Sequence, residues 1–210
     1  MPVPLSVQFE FLPPKQQHLL SSISKMDKFE IYGLLRISNV TVPSNHTWDT
    51  VRILTRGDVR FTATGCVLRI RHSKTIQYQE RVFEAVIPRL PDNPLCPSLA
   101  ICRFMQQAGN LPTSAPALAF TQPSSGKMKT ITPPQARSAL HRLISAIGLN
   151  TSDYNTHSLR RSGATHLLSL GVPFEIIKIL GDWKSDCVFK YLKPNAETKL
   201  SMLPSVSSLQ

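Results

Sequence analysis

The stretch NTHSLRRSGATHLLSLGVPFEIIKILGDWKSDCVFKYL, residues 155–192, decides how this chain is interpreted. His157 and Arg160 lie three residues apart, so both side chains would project from one face of a helix. Trp183 follows an apolar run and a turn, and Tyr191 closes the segment. An imidazole, a guanidinium, an indole N–H and a phenol so close together predict an anion-binding site with an attached nucleophile. Our first hypothesis is a phosphodiester site in which Tyr191 attacks.

The composition favours a polyanionic partner. The 210 residues suffice for one sizeable core. They include 24 Lys and Arg against 13 Asp and Glu, a formal charge of +11, which favours nucleic acid first and an anionic membrane second. The basic residues are spread along the chain without a polybasic tail, which argues against a membrane anchor.

Several other classes of protein are disfavoured. No apolar run approaches the length of a membrane span, and the N-terminus MPVPLSVQFEFLPPKQQ lacks the features of a secretory signal, so we expect a protein that is not secreted. The cysteines contain no CxxC pair, so neither a zinc site nor a disulfide framework is indicated, and a reducing compartment is the default. They are Cys66, Cys96, Cys102 and Cys187.

Hydrophobic spacing predicts a mainly α-helical protein. Residues 1–14 hold four prolines and are expected to be extended. A helix over 26–40 would carry Arg36 near its end. A short helix opened by Ser185 or Asp186 would carry Tyr191, and Asn155 or Thr156 would cap the helix of His157. Further helices are predicted over 14–24, 98–109, 133–148, 156–171 and 172–180.

Between residues 51 and 88 the hydrophobic period changes to two. VRILTRGDVRF, GCVLRIRH and RVFEAVIP alternate and are rich in β-branched residues, which predicts a small three-stranded antiparallel sheet. Lys74 would lie in the turn between the second and third strands, and Ala117–Phe120 reads as a further short strand. The predicted fold class is therefore α+β.

Each candidate residue also has an ordinary structural interpretation. Arg160 alone could be a solvated surface residue, and His157 and Trp183 alone would be read as structural and core residues. Lys74 would be a solvated loop tip, and Tyr191 an ordinary helix residue. Arg36 differs because it sits in the apolar segment YGLLRISNV, where a guanidinium requires a counter-anion. Their joint order and spacing favours a functional interpretation.

That joint pattern resembles the tyrosine recombinase (phage integrase-like) family over residues 15–193. GLLRISN is similar to the motif of the first catalytic arginine, and RIRHSKT to the hairpin of the catalytic lysine. The 155–192 stretch is close to the family's signature block with its second arginine, His/Trp position and tyrosine. Trp183 and the LLRISN wording look most like eukaryotic mobile-element recombinases of the DIRS and Crypton kinds.

The resemblance implies DNA cleavage and rejoining through a 3′-phosphotyrosyl intermediate. Tyr191 would attack the scissile phosphate, and Lys74 would protonate the leaving 5′-oxygen. The remaining positions would donate to the phosphoryl oxygens: Arg36, His157, Arg160 and Trp183. Covalent capture keeps the phosphodiester energy, so no metal and no small-molecule cofactor is expected. The implied partner is double-stranded DNA, with self-association on it.

The resemblance also sets expectations for domain organisation. Residues 15–194 would be the catalytic domain, preceded by the extended segment 1–14 and followed by the tail 195–210. The N-terminal core-binding domain of full family members is expected to be absent from this chain. Many members have an acidic residue where this chain has Asn39, whose amide could hydrogen-bond Arg36 instead. A eukaryotic protein of this kind would act in the nucleus, and otherwise in the cytoplasm.

Two alternatives remain open from the sequence. The chain could be a non-cutting DNA-binding remnant of a mobile-element recombinase. It could also be a type IB topoisomerase-like enzyme, although the compact signature block and the lack of a long linker before Tyr191 disfavour that class.

Overall fold

The computed structural model describes residues 34–44, 47–78, 80–93 and 96–190. The predictions for the segment 1–14, the helix 14–24, the tail 195–210 and Tyr191 lie outside these residues. Within them the fold is mixed, with five α-helices, a three-stranded antiparallel sheet and a two-stranded ribbon. None of these helices combines the length and apolar character needed to cross a membrane.

The predicted three-stranded antiparallel sheet is present in the structure. Strands β1 (Val59–Thr62), β2 (Gly65–Ile70) and β3 (Phe83–Pro88) pair antiparallel as β1-β2-β3. Gly65 closes the tight β1–β2 turn with a φ of 154°, and a Cβ there would overlap the carbonyl oxygen of Ile87 on β3. Glycine is therefore required where the backbones of β2 and β3 approach.

The first strand is shorter than predicted. Residues 51–58 form turns, and a 3₁₀ turn over Arg56–Asp58 precedes β1. Asp58 is buried and accepts hydrogen bonds from the Thr55 N–H at 3.0 Å and the Thr55 hydroxyl at 2.7 Å. These local bonds stabilise a turn, and they explain why the apparent alternation of 51–58 does not give a strand.

One face of the sheet forms the larger core. Leu68 and Ile70 of β2 and Ile87 of β3 are at most 2% exposed and pack with Ile101 of helix α2, which spans Pro97–Gln107. Fully burying one such side chain stabilises the fold by about 1.5–3 kcal/mol. Pro97 lies in the first turn of α2.

The predicted strand over Ala117–Phe120 is wrong in its position. Ala117, Leu118 and Ala119 are buried but irregular, and the short strand β4 is Phe120–Thr121, which pairs with β5 (Met128–Lys129). The apolar run is explained by core burial, because Ala117 and Leu118 pack with the main core cluster.

The prediction that Arg36 lies near the end of a helix is also wrong. The short helix α1 spans Ile37–Val40 and begins directly after Arg36, whose backbone is extended. Leu34 has a φ of 48°, in the left-handed region that interrupts a right-handed helix. Leu34 is fully buried against Ile177 and Trp183, so packing holds this backbone conformation.

Three helices complete the described fold. Helix α3 spans Pro133–Ala146, α4 spans Thr156–Ser169 and α5 spans Phe174–Leu180. Helix α5 begins two residues later than predicted. The Asn155 side chain accepts the Ser158 N–H at 3.1 Å, so Asn155 is the N-cap of α4. Helices α4 and α5 contribute to a second core cluster, whose buried members are Leu34, Ala164, Leu168, Ile177, Trp183 and Val188.

Candidate functional site

Arg160 is buried in the second turn of α4. Its side chain is 2% exposed, and its Nη2 donates to the Gly181 carbonyl oxygen at 2.6 Å. The guanidinium carbon lies 4.1 Å from the centre of a Trp183 ring, an arrangement typical of a cation–π contact. The interpretation of Arg160 as a solvated surface residue is therefore wrong.

Trp183 is a core residue that also supports Arg160. Its side chain is 6% exposed, and its backbone N–H donates to the Lys178 carbonyl oxygen near the end of α5 at 3.0 Å. A Cβ on Gly181 would overlap the six-membered ring of the Trp183 indole, so only glycine fits at this approach. Helix α4 and residues 181–183 are called the Arg160 wall below.

His157 lies near the exposed start of α4, and four cationic side chains affect the pKa of its imidazole. Partial burial lowers its imidazole pKa, and the charges of Arg160, Arg36, Arg161 and Lys74 lower it further. Electrostatic effects of this kind require proximity, so the fold gathers Arg36 and Lys74 from distant sequence segments beside α4. Arg161, which the sequence interpretation did not select, belongs to the same cluster.

Lys74 occupies the predicted turn between β2 and β3. Ser73 and Ile76 exchange two backbone hydrogen bonds of 3.0 and 3.1 Å around it. The Ile76 side chain is fully buried, whereas the Lys74 side chain is exposed. Residues 71–78 and 80–82 between the two strands are called the Lys74 hairpin.

The Lys74 hairpin is joined to the Arg160 wall by Asp182. The Thr75 hydroxyl donates to Asp182 Oδ2 at 2.7 Å, and Arg81 Nη2 donates to Asp182 Oδ1 at 2.6 Å. Lys184 and Glu80 form a longer ion pair of 3.8 Å alongside. Sequence reasoning noted the turn at residues 181–182 but gave no role to Asp182, because its partners are about 100 residues away.

The hairpin has a second anchor at its other end. Arg71 Nη2 donates to Asp58 Oδ2 at 2.5 Å and to the Thr50 carbonyl at 3.0 Å. Asp58 is 6% exposed and is already fixed by Thr55, so it is a rigid acceptor. Both ends of the Lys74 hairpin are thus held by arginine–aspartate pairs.

Arg36 differs from these paired arginines. The part of the chain that the structure describes supplies no ion-pair partner for its guanidinium, although a counter-anion was expected. Asn39 accepts the Arg36 backbone N–H at 2.9 Å and therefore fixes the main chain, whereas the sequence had suggested that its amide could bind the side chain. Arg36 is half-buried beside His157 and adds positive charge there.

The described residues just before Tyr191 pack against the rest of the fold, and Val188 joins the second core cluster. A 3₁₀ turn spans Asp186–Lys190, within which Val188 is fully buried in the same cluster as Trp183. Phe189 stacks on Phe174 of α5 with ring centres 4.1 Å apart. The role of Tyr191 itself stays a prediction.

An open groove of about 600 Å³ adjoins the Lys74 hairpin. Its lining includes the side chains of His72, Lys74, Ser38 and Thr41, together with Asp49, which pairs with Arg52. In the described ranges, no three side chains of the His, Cys, Asp and Glu types are grouped to hold a metal ion. The hydroxyls of Ser38 and Thr41 and the Lys74 ammonium can donate to an anion in this groove.

Comparisons with known proteins bear on the fold. No family model matches the sequence, and no curated protein matches it significantly. Among solved structures, 94% of the chain superposes on a XerH site-specific recombinase bound to difH substrate, with a TM-score of 0.56 and 11% identity. All of the chain superposes on XerA recombinase, with a TM-score of 0.54 and 15% identity. The Tn1549 transposon integrase in complex with circular intermediate DNA covers 97% of the chain, with a TM-score of 0.54 and 16% identity.

These likenesses define the class of fold. The chain shares the coarse architecture of a recombinase catalytic domain, with its helices and three-stranded antiparallel sheet. It spans 49% of the length of the XerH chain and 66% of the XerA and Tn1549 integrase chains.

Proposed function

We propose that this chain is the catalytic domain of a tyrosine recombinase that cleaves and rejoins DNA through a 3′-phosphotyrosyl intermediate. The carrying observation is that one turn, Gly181–Asp182, binds Arg160 on α4 and also the hairpin of Lys74. The charges of Arg36, Lys74 and Arg160 also act on the pKa of His157. Three separate segments contribute these cations, in the order that the signature motifs require. The fold shared with DNA-bound recombinases supports double-stranded DNA as the partner.

The proposed cleavage is an in-line displacement at phosphorus. The Tyr191 oxygen forms a bond to phosphorus, and the bond from phosphorus to the 5′-oxygen breaks. The Lys74 ammonium gives a proton to that leaving oxygen, since an alkoxide leaves poorly. The lowered pKa keeps the His157 imidazole neutral near pH 7, so it can accept the phenol proton. The reverse attack by a 5′-hydroxyl rejoins the strand and returns both protons.

Arg36 and Arg160 are proposed to stabilise the charge on the phosphoryl oxygens, with the Trp183 indole N–H as a further donor. Losing one well-placed donor of this kind costs about 2.7–4 kcal/mol of barrier. Gly181 and Trp183 fix the orientation of the Arg160 side chain, so the guanidinium would not have to turn during the reaction once a phosphate is in contact with it. Preorganisation of this kind is what makes electrostatic catalysis effective.

Strand exchange joins two DNA segments, so we also propose that copies of the chain associate on DNA. The wording LLRISN and the presence of Trp183 support a mobile-element recombinase of the DIRS or Crypton kind. Such an element would act in the nucleus.

The test is covalent capture on suicide DNA. A panel of nicked duplexes with randomised sequence is incubated with the protein, and the adduct is detected after denaturing electrophoresis. We expect an adduct with the wild-type chain and none with Tyr191→Phe, which retains the ring but removes the nucleophile. Arg36→Gln should bind DNA but lower adduct formation at least roughly 100-fold. Absence of any wild-type adduct at low salt would overturn the proposal.

One observation favours the alternative of a non-cutting DNA-binding protein. Arg160 is 2% exposed, so a phosphate could reach it only after local movement of the wall. In that case the chain would bind duplex DNA with strong salt dependence and form no adduct on any duplex of the panel. The same capture assay, run beside equilibrium binding at several salt concentrations, separates the two functions.

A further inference from the structure

We propose that Asp182 is a positioning residue that holds Lys74 at the cleavage site by binding the hairpin on which it sits. This inference rests on the proposed recombinase function. Asp182 would touch neither DNA nor the reacting atoms. It would act through Thr75 and Arg81.

Both carboxylate oxygens of Asp182 are occupied by the hairpin. Oδ2 accepts from Thr75, the residue next to Lys74, and Oδ1 accepts from Arg81, which leads into β3. The Asp182 side chain is 13% exposed and that of Arg81 is 33% exposed, so this pair is partly shielded from water. Charge-assisted hydrogen bonds in such surroundings are stronger than neutral ones.

Asp182 is itself held rigidly. It lies between Gly181, which accepts the Arg160 hydrogen bond, and Trp183, which stacks on the Arg160 guanidinium. Its φ of 53° lies in the left-handed region, which asparagine and aspartate adopt more readily than most residues. A single turn therefore fixes Arg160 directly and the tip of the Lys74 hairpin through Asp182.

The tip of the hairpin needs this support. Apart from the buried Ile76 side chain, residues 73–78 are held by short-range turn bonds, and Lys74 itself is exposed. A general acid must stay within hydrogen-bond reach of the leaving oxygen, and small displacements are costly. Breaking the Asp182 contacts would let the hairpin tip move away from the wall without altering the chemistry of the Lys74 ammonium.

The matched variants are Asp182→Asn and Asp186→Asn. Asparagine tolerates the left-handed backbone of residue 182 but removes the charge that binds Arg81. Asp186 lies four residues later and pairs with Lys178, so its variant makes the same change of net charge without touching the hairpin. Any general gain in DNA affinity from losing a carboxylate appears in both variants.

The chemical readout uses two substrates. In ordinary DNA the leaving 5′-oxygen needs the Lys74 proton, whereas a 5′-sulfur at the scissile bond leaves as a thiolate, because thiols ionise near pH 8.5. Asp182→Asn should cleave ordinary DNA roughly 10- to 100-fold more slowly than wild type, as expected for a misplaced acid. On the 5′-thio substrate it should match wild type within about threefold. An equal loss on both substrates, or no loss on ordinary DNA, would overturn the proposal.

The physical readout does not depend on cleavage. Amide hydrogen exchange at Ser73 and Ile76, which bond each other across the tip, should quicken at least roughly tenfold in Asp182→Asn and stay unchanged in Asp186→Asn. Arg81→Gln should quicken the same amides, and the double variant with Asp182→Asn should add little, because the two residues form one contact. Unchanged protection in Asp182→Asn would overturn the positioning role.

The two readouts also separate this inference from the proposed function. If the wild-type chain forms no adduct on either substrate, the recombinase function fails, and hydrogen exchange alone decides whether Asp182 holds the hairpin. If the wild type cleaves both substrates but Asp182→Asn behaves like Asp186→Asn, the function stands and the inference fails.

Discussion

The wall that carries Arg160 is held together mainly by apolar packing, whereas Lys74 sits on a hairpin held mainly by charged and polar contacts. The Arg160 wall rests on Trp183, Gly181 and the buried side chains of α4 and α5. The Lys74 hairpin depends on two arginine–aspartate pairs, one to Asp58 and one to Asp182. Packing is short-ranged and insensitive to salt, while ion pairs can be weakened by salt and by loss of a single charge. The proposed site therefore combines a rigid part, the Arg160 wall, with an adjustable part, the Lys74 hairpin.

The largest effect should come from breaking the rigid wall with Gly181→Ala. The new methyl group would overlap the Trp183 indole and push it from the Arg160 guanidinium. Overpacking of this kind costs about 1–3 kcal/mol of stability or more. We expect that loss in urea unfolding, together with loss of the covalent DNA adduct.

Gly171→Ala is the control for the rigid wall. Gly171 has a φ of 77°, and no atom lies within 4 Å of a Cβ built there. Its variant suffers backbone strain of about 1 kcal/mol but keeps the indole in place. Equal loss of adduct formation in both glycine variants would contradict the role given to the Trp183 contact.

The next largest effect should come from removing the Asp58 anchor of the hairpin with Asp58→Asn. The change breaks the ion pair to Arg71 and weakens the bonds to Thr55. Loss of a buried, charge-assisted pair of this kind should cost about 1–3 kcal/mol of unfolding free energy. Asp49→Asn is the comparison, because Asp49 pairs with Arg52 at 3.6 Å on the exposed surface. If the two variants unfold at the same urea concentration, the anchor contributes nothing beyond a surface pair.

Local elements could be predicted from the sequence better than the long-range contacts that join the hairpin to the wall. The α4 cap at Asn155, the three-stranded antiparallel sheet and the turn that carries Lys74 follow from local signals, namely capping residues and hydrophobic period. The helix expected to carry Arg36 failed because Leu34 adopts a left-handed backbone that only tertiary packing maintains. Asp182 was missed because a lone aspartate in a turn gives no hint of partners 101 and 107 residues away. Long-range polar contacts of this kind are absent from local patterns.

A smaller effect concerns His157, whose pKa responds to cations of both the Arg160 wall and the Lys74 hairpin. Partial burial and four cations lower its pKa below the ordinary value of about 6.5 in the free protein. A bound phosphate would favour the imidazolium, so binding takes up a proton and DNA affinity should rise as pH falls below about 6.5. We expect a roughly three- to tenfold gain between pH 7.5 and 5.5, measured by anisotropy of a labelled duplex at fixed ionic strength.

His157→Gln should lose most of this pH dependence, whereas His166→Gln, an exposed histidine later on α4, should keep it. Acidification should have the opposite effect on folding stability, which His157 lowers as the pH falls. With the folded-state pKa lowered, the unfolded chain takes up the proton more readily, so the contribution of His157 to stability is present above about pH 6.5 and declines as the pH falls. A DNA affinity that falls on acidification in the wild type alone would contradict a phosphate beside His157.

The smallest effect should come from salt, which directly tests the contrast between the packed Arg160 wall and the ion-paired Lys74 hairpin. Raising NaCl from about 0.05 to 1 M shortens the Debye length to about 3 Å and weakens the ion pair of Asp182 with Arg81, which is only partly shielded. Exchange of the Ser73 and Ile76 amides should therefore quicken a few-fold. The Trp183 amide, which bonds Lys178 O at 3.0 Å within the packed wall, should not respond. In Asp182→Asn the salt effect on the hairpin amides should disappear, because the charge that salt screens is gone. If amide exchange at Ser73 and at Trp183 depended equally on salt in the wild type, the hairpin and the wall would be held by the same forces.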